Sequence, residues 1–231
     1  MATVRQKVVV DRLRDMIING AFKEGEHMQE MPLARLLGVS RTPIREALVI
    51  LGHEGLLRYR PNRGYVVRGF KLNEVIDAFL VRETLEGLAC RIVAERRMDA
   101  DLEAELTEAL LDGDQMLAQA STGEYLRRPW AKMNARFHRA ILYATQNAAL
   151  IDATERVLTF PFSSTLTIPW FDKGDTASYE MLQNSHREHH VIFEALKAHH
   201  PYRAEAAMKE HVARAIVSIQ KLVSLPGIFT G

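Results

Sequence analysis

Cysteine is almost missing from this chain: Cys90 stands alone in 231 residues, so no intrachain disulfide and no cysteine-only metal site can form. That suits a reducing cytoplasm, which is the expected location. Long apolar runs are missing too. None reaches the roughly 18 residues needed to span a bilayer, and the N-terminus has no extended apolar core of the signal-peptide kind, so neither membrane insertion nor secretion is expected. There is no His-Glu-x-x-His zincin motif, no Gly-x-Ser-x-Gly elbow and no Gly-rich phosphate loop, which removes the commonest hydrolase and nucleotide-binding signatures. Repeats of fixed period and low-complexity tracts are absent as well. What remains, 47% hydrophobic and 26% charged residues, describes a globular chain of one or two domains, long enough to bury a core without cross-links.

Net charge is also nearly absent, with 30 Lys+Arg against 29 Asp+Glu, and taken as an average this argues against a nucleic-acid partner. The average hides a split. Residues 1 to 70 hold 12 basic and 7 acidic residues, a net of +5, and residues 71 to 231 hold 18 and 22, a net of −4. Seven of the nine histidines lie in the second part. The expected division is therefore a basic head over 1–70 and an acidic body over 71–231.

In the head, Val9, Leu13, Met16 and Ile17 recur at helical spacing and the run stops at Asn19-Gly20. A polar segment, Phe22 to His27, leads to a short second helix over 32–37, with Leu33, Leu36 and Leu37 on one face and Gly38 after it. Thr42 as cap and Pro43 as first helical residue predict a third helix running to about His53, with Ile44, Ala47, Leu48 and Leu51 turned inward. Short helix, Gly-containing turn and a second helix that opens with basic residues form the helix-turn-helix pattern. Two segments, 57–60 and 65–68, flank Pro61-Asn62-Arg63-Gly64 and read as a β-hairpin carrying Arg58, Arg60, Arg63 and Arg68. The hairpin makes the head a winged helix-turn-helix, and its guanidinium groups suit phosphate contacts or entry into a minor groove. Arg41, Thr42 and Arg45 lie at the start of the recognition helix, where side chains reach base edges and phosphates. Solvated surface arginines are the competing reading of any one of them. The combination with the hairpin favours DNA.

The runs Gly25 to Glu30, Leu37-Gly-Val-Ser-Arg-Thr-Pro-Ile-Arg-Glu-Ala-Leu48, Glu54-Gly-Leu56 and Pro61 to Gly64 resemble the DNA-binding domain of the GntR family of bacterial transcription regulators. The likeness covers nearly all of residues 8 to 69. It implies that Arg41, Thr42 and Arg45 contact double-stranded operator DNA and that Gly64 lets the wing tip approach the minor groove closely. One position departs from the family pattern: Met31 stands where many members carry a base-reading Arg in the second helix.

From Leu72 onward no strand and no long Gly/Ser linker is evident, and helical periodicity fills six stretches, 72–97, 99–120, 124–146, 148–166, 176–199 and 201–223. The body is expected to be an all-α bundle, broken by an irregular segment within 160–176, where Pro161, Pro169 and Gly174 fall. Asn134 and His138 share a helix face that Ile141 and Leu142 continue inward. His189 precedes Ile192 and Leu196 on its face, and His211 lies on a stripe with Met208 and Ala215. Within His186-Arg-Glu-His189-His190, spacing alone does not choose among the three imidazoles. Inward histidines from three helices can converge on one borderline divalent ion such as zinc or nickel; a lone inward His is more often a hydrogen-bonded core residue.

Asn134-x-x-Phe137-His138, Glu188-His189-x-x-Ile192 and Met208-x-x-His211 resemble the FCD ligand-binding domain of the FadR-like branch of the same family, over about residues 72 to 223. The resemblance implies a metal held by Asn134, His138, His189 and His211, with Asn in place of the family's Asp, and leaves His186 and His190 as surface or supporting residues. It also places Arg82 in the cavity as a partner for a carboxylate effector; an i,i+4 ion pair with Glu86 is the plainer reading of that arginine. Six body helices rather than seven point to the VanR-type subgroup and to small organic acids rather than acyl chains. The expectation is a homodimeric, effector-responsive repressor or activator of transcription, mainly α in fold and not an enzyme. The rival expectation is a metal-dependent hydrolase with an accessory DNA-binding head. DNA packaging would need basic residues throughout, and the acidic body argues against it.

Overall fold

The computed structural model describes residues 4–18, 20–69, 72–119, 127–158 and 176–222. Two compact units divide between Val75 and Ile76. The first contains α1 (Val4–Ile18), α2 (Glu30–Leu37), α3 (Arg41–His53) and a two-stranded antiparallel sheet of β1 (Leu57–Arg60) and β2 (Gly64–Val67). Val9, Leu13 and Ile17 recur every fourth residue on α1 and are buried with Leu33 and Leu37 of α2 and Ile44, Leu48 and Leu51 of α3. Burial of side chains of this size is worth about 1.5–3 kcal/mol each, which is what holds three short helices together. Helix α2 ends at Gly38, whose positive φ of 66° lets the turn fold back so that its N–H reaches Arg35 O.

Two local differences from the sequence expectation stand out. Helix α3 begins at Arg41, with the extended Ser40 as cap residue, so Thr42 is not the cap and Pro43 sits in the helix's first turn. Proline is tolerated there because first-turn N–H groups have no intrahelical acceptor. The polar segment before α2 also pairs with the wing: Gly25 N donates to Val67 O, Val67 N to Glu26 O and Met28 N to Tyr65 O, each at 2.9 Å. β2 is therefore bonded on both sides, and this segment is too short and too polar to show a strand period. In the hairpin Arg60 pairs with Gly64 across a three-residue turn, 61–63, in which Asn62 has φ 63°; Gly64, which closes it, has φ 71°.

The second unit holds α5 (Ala100–Gln119), α6 (Arg127–Ala144), α7 (Ala148–Leu158), α8 (Thr176–Lys197), α9 (Pro201–Leu222) and most of α4 (Leu72–Arg96). Its boundaries follow from caps. Asp99 Oδ1 accepts from Leu102 N at 2.8 Å, Asn147 Oδ1 accepts from Leu150 N at 3.1 Å, and Pro201 opens α9 after the left-handed His199. α5 packs on α6 and α8, and α8 on α9. Phe79, Leu106, Phe137, Ile141 and Leu182 are fully buried between them. Helix α7 ends at Leu158; the rest of the expected 148–166 stretch, and nearly all of the expected break within 160–176, lie outside the described residues. No helix among the described residues is long and apolar enough to cross a membrane.

Candidate nucleic-acid interface and candidate metal centre

Arg41, Thr42 and Arg45 stand exposed at the start of α3. Both arginines are held by one carboxylate. Arg41 donates to Glu30 Oε2 from Nε (3.1 Å) and Nη2 (2.8 Å), and Arg45 donates to Oε1 from Nε (2.8 Å) and to Oε2 from Nη2 (3.0 Å). The hydrogen bonds from Arg45 and then Arg41 pull the Glu30 carboxyl down to about 2. Glu30 opens α2, so the first helix of the helix-turn-helix fixes the direction of the guanidinium groups on the second. Sequence reasoning gave Glu30 no role, because nothing in the spacing of 11 and 15 residues shows that it meets them. Met31, in the same turn, is also exposed. At the wing tip Arg63 is exposed, and a Cβ on Gly64 would meet His27 Nε2 at 3.4 Å while the backbone holds a left-handed conformation that L side chains rarely adopt.

In the body, His138 of α6, His189 of α8 and His211 of α9 are buried and bring one nitrogen each within 4.8 Å of one another. Two carboxylates set the imidazole tautomers. Glu86 Oε2 accepts from His138 Nδ1 at 2.6 Å, and Glu188 Oε2 accepts from His211 Nδ1 at 2.9 Å. With the protons on Nδ1, the two Nε2 atoms face each other at 3.2 Å as bare lone pairs. Two nitrogens bonded to one tetrahedral zinc at 2.0–2.1 Å stand about 3.4 Å apart, so the observed spacing fits a shared cation. His189 is stronger still. Both of its nitrogens are buried without a hydrogen-bond partner, a costly state for an imidazole that a bound ion relieves. Burial pulls His138 below its ordinary pKa against the opposing pull of Glu86, and burial with the neighbouring imidazoles pulls His189 far lower. Both rings are neutral near pH 7, the form that ligates.

Asn134 is buried one turn before His138 on α6. Arg82 is buried and donates from Nε to Glu86 Oε1 at 2.5 Å, the ion pair weighed from the sequence. Burial alone would push the Glu86 carboxyl up, yet Arg82 and His138 outweigh it and hold the group well below the usual range. Glu86 therefore connects Arg82 to a histidine of the triad, a link that an i,i+4 pattern on α4 cannot reveal. Glu188 does not turn toward its neighbour His189 but crosses to α9, where its other oxygen accepts from Arg214 at 2.7 Å. Of the two positions left open for His186, surface or supporting, the structure has the buried one: its Nε2 lies 2.9 Å from Asp114 Oδ1, and the half-exposed His190 shares that oxygen at 3.2 Å.

A family model described as "Bacterial regulatory proteins, gntR family" matches residues 5–67, and one described as "FCD domain" matches residues 77–214. A probable D-xylose utilization operon transcriptional repressor of Paenarthrobacter nicotinovorans is 30% identical over 89% of this chain and 86% of its own length. The transcriptional repressor GlaR of Escherichia coli K12 is 27% identical over 92% and 94%. Among solved structures, E. coli McbR/YncC has the same fold, with TM-score 0.64 and 21% identity over 96% of this chain and all of that one. Relatives that match nearly end to end are transcriptional regulators and not enzymes, so the hydrolase reading of the body gives way. The chain belongs to the GntR family of bacterial regulatory proteins, as a transcriptional regulator with a helix-turn-helix head and an FCD body.

Proposed function

We propose that this regulator binds an inverted-repeat operator as a homodimer and changes its DNA affinity when a small carboxylate binds beside a metal in the body. The head, residues 1 to 70, reads DNA through Arg41, Thr42 and Arg45 in the major groove, with Arg63 and Gly64 at the wing. The body, residues 71 to 231, holds zinc or nickel on His138, His189 and His211, with Asn134 as a neutral fourth donor. One observation carries the reading of the body: three buried imidazoles converge, and His189 has no other partner for either nitrogen.

The bound ion supplies a Lewis-acidic anchor for one effector oxygen. Glu86 and Glu188 hold His138 and His211 with their Nε2 lone pairs directed inward. Arg82 offers a planar fork to a second oxygen of the effector, and Glu86, shared between Arg82 and His138, passes any displacement of the guanidinium to the triad. Six body helices among the described residues support the VanR-type subgroup and hence a compact organic acid rather than an acyl chain. The relatives named as transcriptional repressors favour repression, relieved by the effector.

Single replacement of His138, His189 or His211 by Ala is expected to remove the tightly held metal that survives dialysis against a weak chelator, as read by mass spectrometry. Unchanged tight metal in all three variants overturns the site. A thermal-shift screen of sugar acids and dicarboxylates, with and without metal, tests the effector class, because a ligand preferring the folded state raises the melting point. Arg82→Lys keeps a charge for Glu86 but loses the fork, so it should diminish the effector's shift while operator binding persists. A footprint without a protected palindrome in the adjoining promoter sinks the operator reading.

A further inference from the structure

Outside the triad, the described residues contain one more group of three metal-capable side chains, Asp114 on α5 with His186 and His190 on α8. We propose that these three form a second cation site, which takes a borderline divalent ion such as zinc once the triad is filled and thereby ties α5 to α8. His186 and His190 are four residues apart, so their rings project from one face of α8; the ring centroids are 4.8 Å apart. Two imidazoles at this spacing on a helix form a natural chelate for zinc. Asp114 supplies the third donor from the facing helix, and its Oδ1 lies 2.9 Å from His186 Nε2 and 3.2 Å from His190 Nε2. Ligand atoms on one tetrahedral ion with bonds of 2.0–2.1 Å stand about 3.4 Å apart, so both nitrogens already lie within about half an ångström of the required distance from Asp114 Oδ1, and all three ligand atoms lie within 4.8 Å of one another.

Without an ion the arrangement leaves a cost. His186 must carry its proton on Nε2 to bond Asp114, and its Nδ1 is then a buried lone pair without a hydrogen-bond partner. An ion on Nε2 moves the proton to Nδ1, whose N–H then needs an acceptor, and the backbone of Leu110, one turn before Asp114 on α5, favours a proton on this ring. α5 is shaped for that ring. A Cβ at Gly113 would fall 2.2 Å from His186 Cε1, so any side chain there displaces the imidazole, and Trp130 borders it edge-on at 5.6 Å between centroids. Burial also lowers the His186 pKa against the pull of Asp114, which keeps the ring neutral and able to ligate near pH 7.

The outer side is open. The side chains of Asp114 and His190 are 50% and 43% exposed, which gives an ion a path in and leaves its remaining positions to water. The triad, by contrast, is enclosed, so it fills first and the outer site responds to excess metal.

The test uses the full-length protein, stripped with a chelator and dialysed to saturation with zinc, with metal counted per chain by mass spectrometry. Wild type is expected to hold one more equivalent than His190→Ala or Asp114→Asn, and filling that equivalent should raise the melting point in wild type and in neither variant. Equal zinc in wild type and His190→Ala, a substitution at a partly exposed position that leaves the core intact, overturns the proposal. His138→Ala separates it from the triad. Loss of metal in His138→Ala with none lost in His190→Ala removes only the outer site, and the reverse pattern removes only the inner one.

Discussion

At the scale of single residues, carboxylates decide more here than their number suggests. Glu30 collects four hydrogen bonds from the two arginines proposed to contact DNA. Its carboxyl falls from an ordinary 4.5 to about 2, so the stabilisation it lends is fully present above pH 4.5 and is lost as pH falls through about 2. NMR titration should accordingly find Glu30 still ionised at a pH where exposed glutamates have become neutral. Replacing it by Gln removes a negative charge near phosphate and also the guide for both guanidinium groups. Glu30→Gln is therefore expected to strengthen non-specific binding and to reduce the ratio of operator to random-sequence affinity by about tenfold, the order of one good bidentate base contact; an unchanged ratio in fluorescence anisotropy refutes the guiding role. Glu86 is the buried counterpart. Glu86→Ala removes the buried carboxylate paired with Arg82 and should cost about 3–5 kcal/mol in chemical denaturation, against far less for Glu54→Gln in the part-exposed pair with Arg14. His138 and His211 were legible in the sequence as inward residues on apolar stripes of their helices, whereas His189 was singled out from His186 and His190 by the family resemblance and not by spacing. The links from Glu30 to Arg41 and Arg45, from Glu86 to His138 and from Asp114 to His186 were not legible, because a partner on another helix leaves no mark in the spacing.

At the scale of elements, local chemistry predicted most boundaries to within two or three residues, since caps and turns act through nearest neighbours. Asp99 is an example, accepting from the N–H of Leu102 at the start of α5. Asp99→Ala should lower the stability of the body by about 1 kcal/mol, seen as a lower denaturation midpoint, and a midpoint unchanged within error would mean that the cap contributes nothing. Where Thr42-Pro43 suggested a helix start, Ser40 and Arg41 supplied it two residues earlier, because proline is compatible with several first-turn sites and does not single one out. The pairing of residues 25–28 with β2 was invisible for a different reason. It is a single bridge, His27 to Val66, and two-residue alternation cannot be recognised over so short a length. Gly64, with φ 71° at the wing tip, shows the other kind of signal, a residue type that a backbone conformation requires.

At the scale of the whole molecule, the total of +1 is the sum of a +5 head and a −4 body. Binding to DNA is expected to weaken steeply as salt rises, since each phosphate neutralised releases counterions. Arg63→Ala, at a position that sequence and structure both put at the wing tip, should reduce the slope of log affinity against log salt by about one unit and affect operator and random DNA alike. A fall in operator affinity alone would instead assign Arg63 to base reading. Within the body, α8 has a peculiarity of its own. His189 belongs to the cluster with α6 and α9, while His186 and His190 face α5, and at 100° per residue the two directions differ by about 80° around the helix axis. A twist of α8 that shortened the distances on one side would lengthen them on the other. The helix is keyed against rotation, like a shaft held by two pins at different angles, so under the proposed effector response the expected movement is a slide of α8 together with its neighbours or a shift of α4 past a stationary α8.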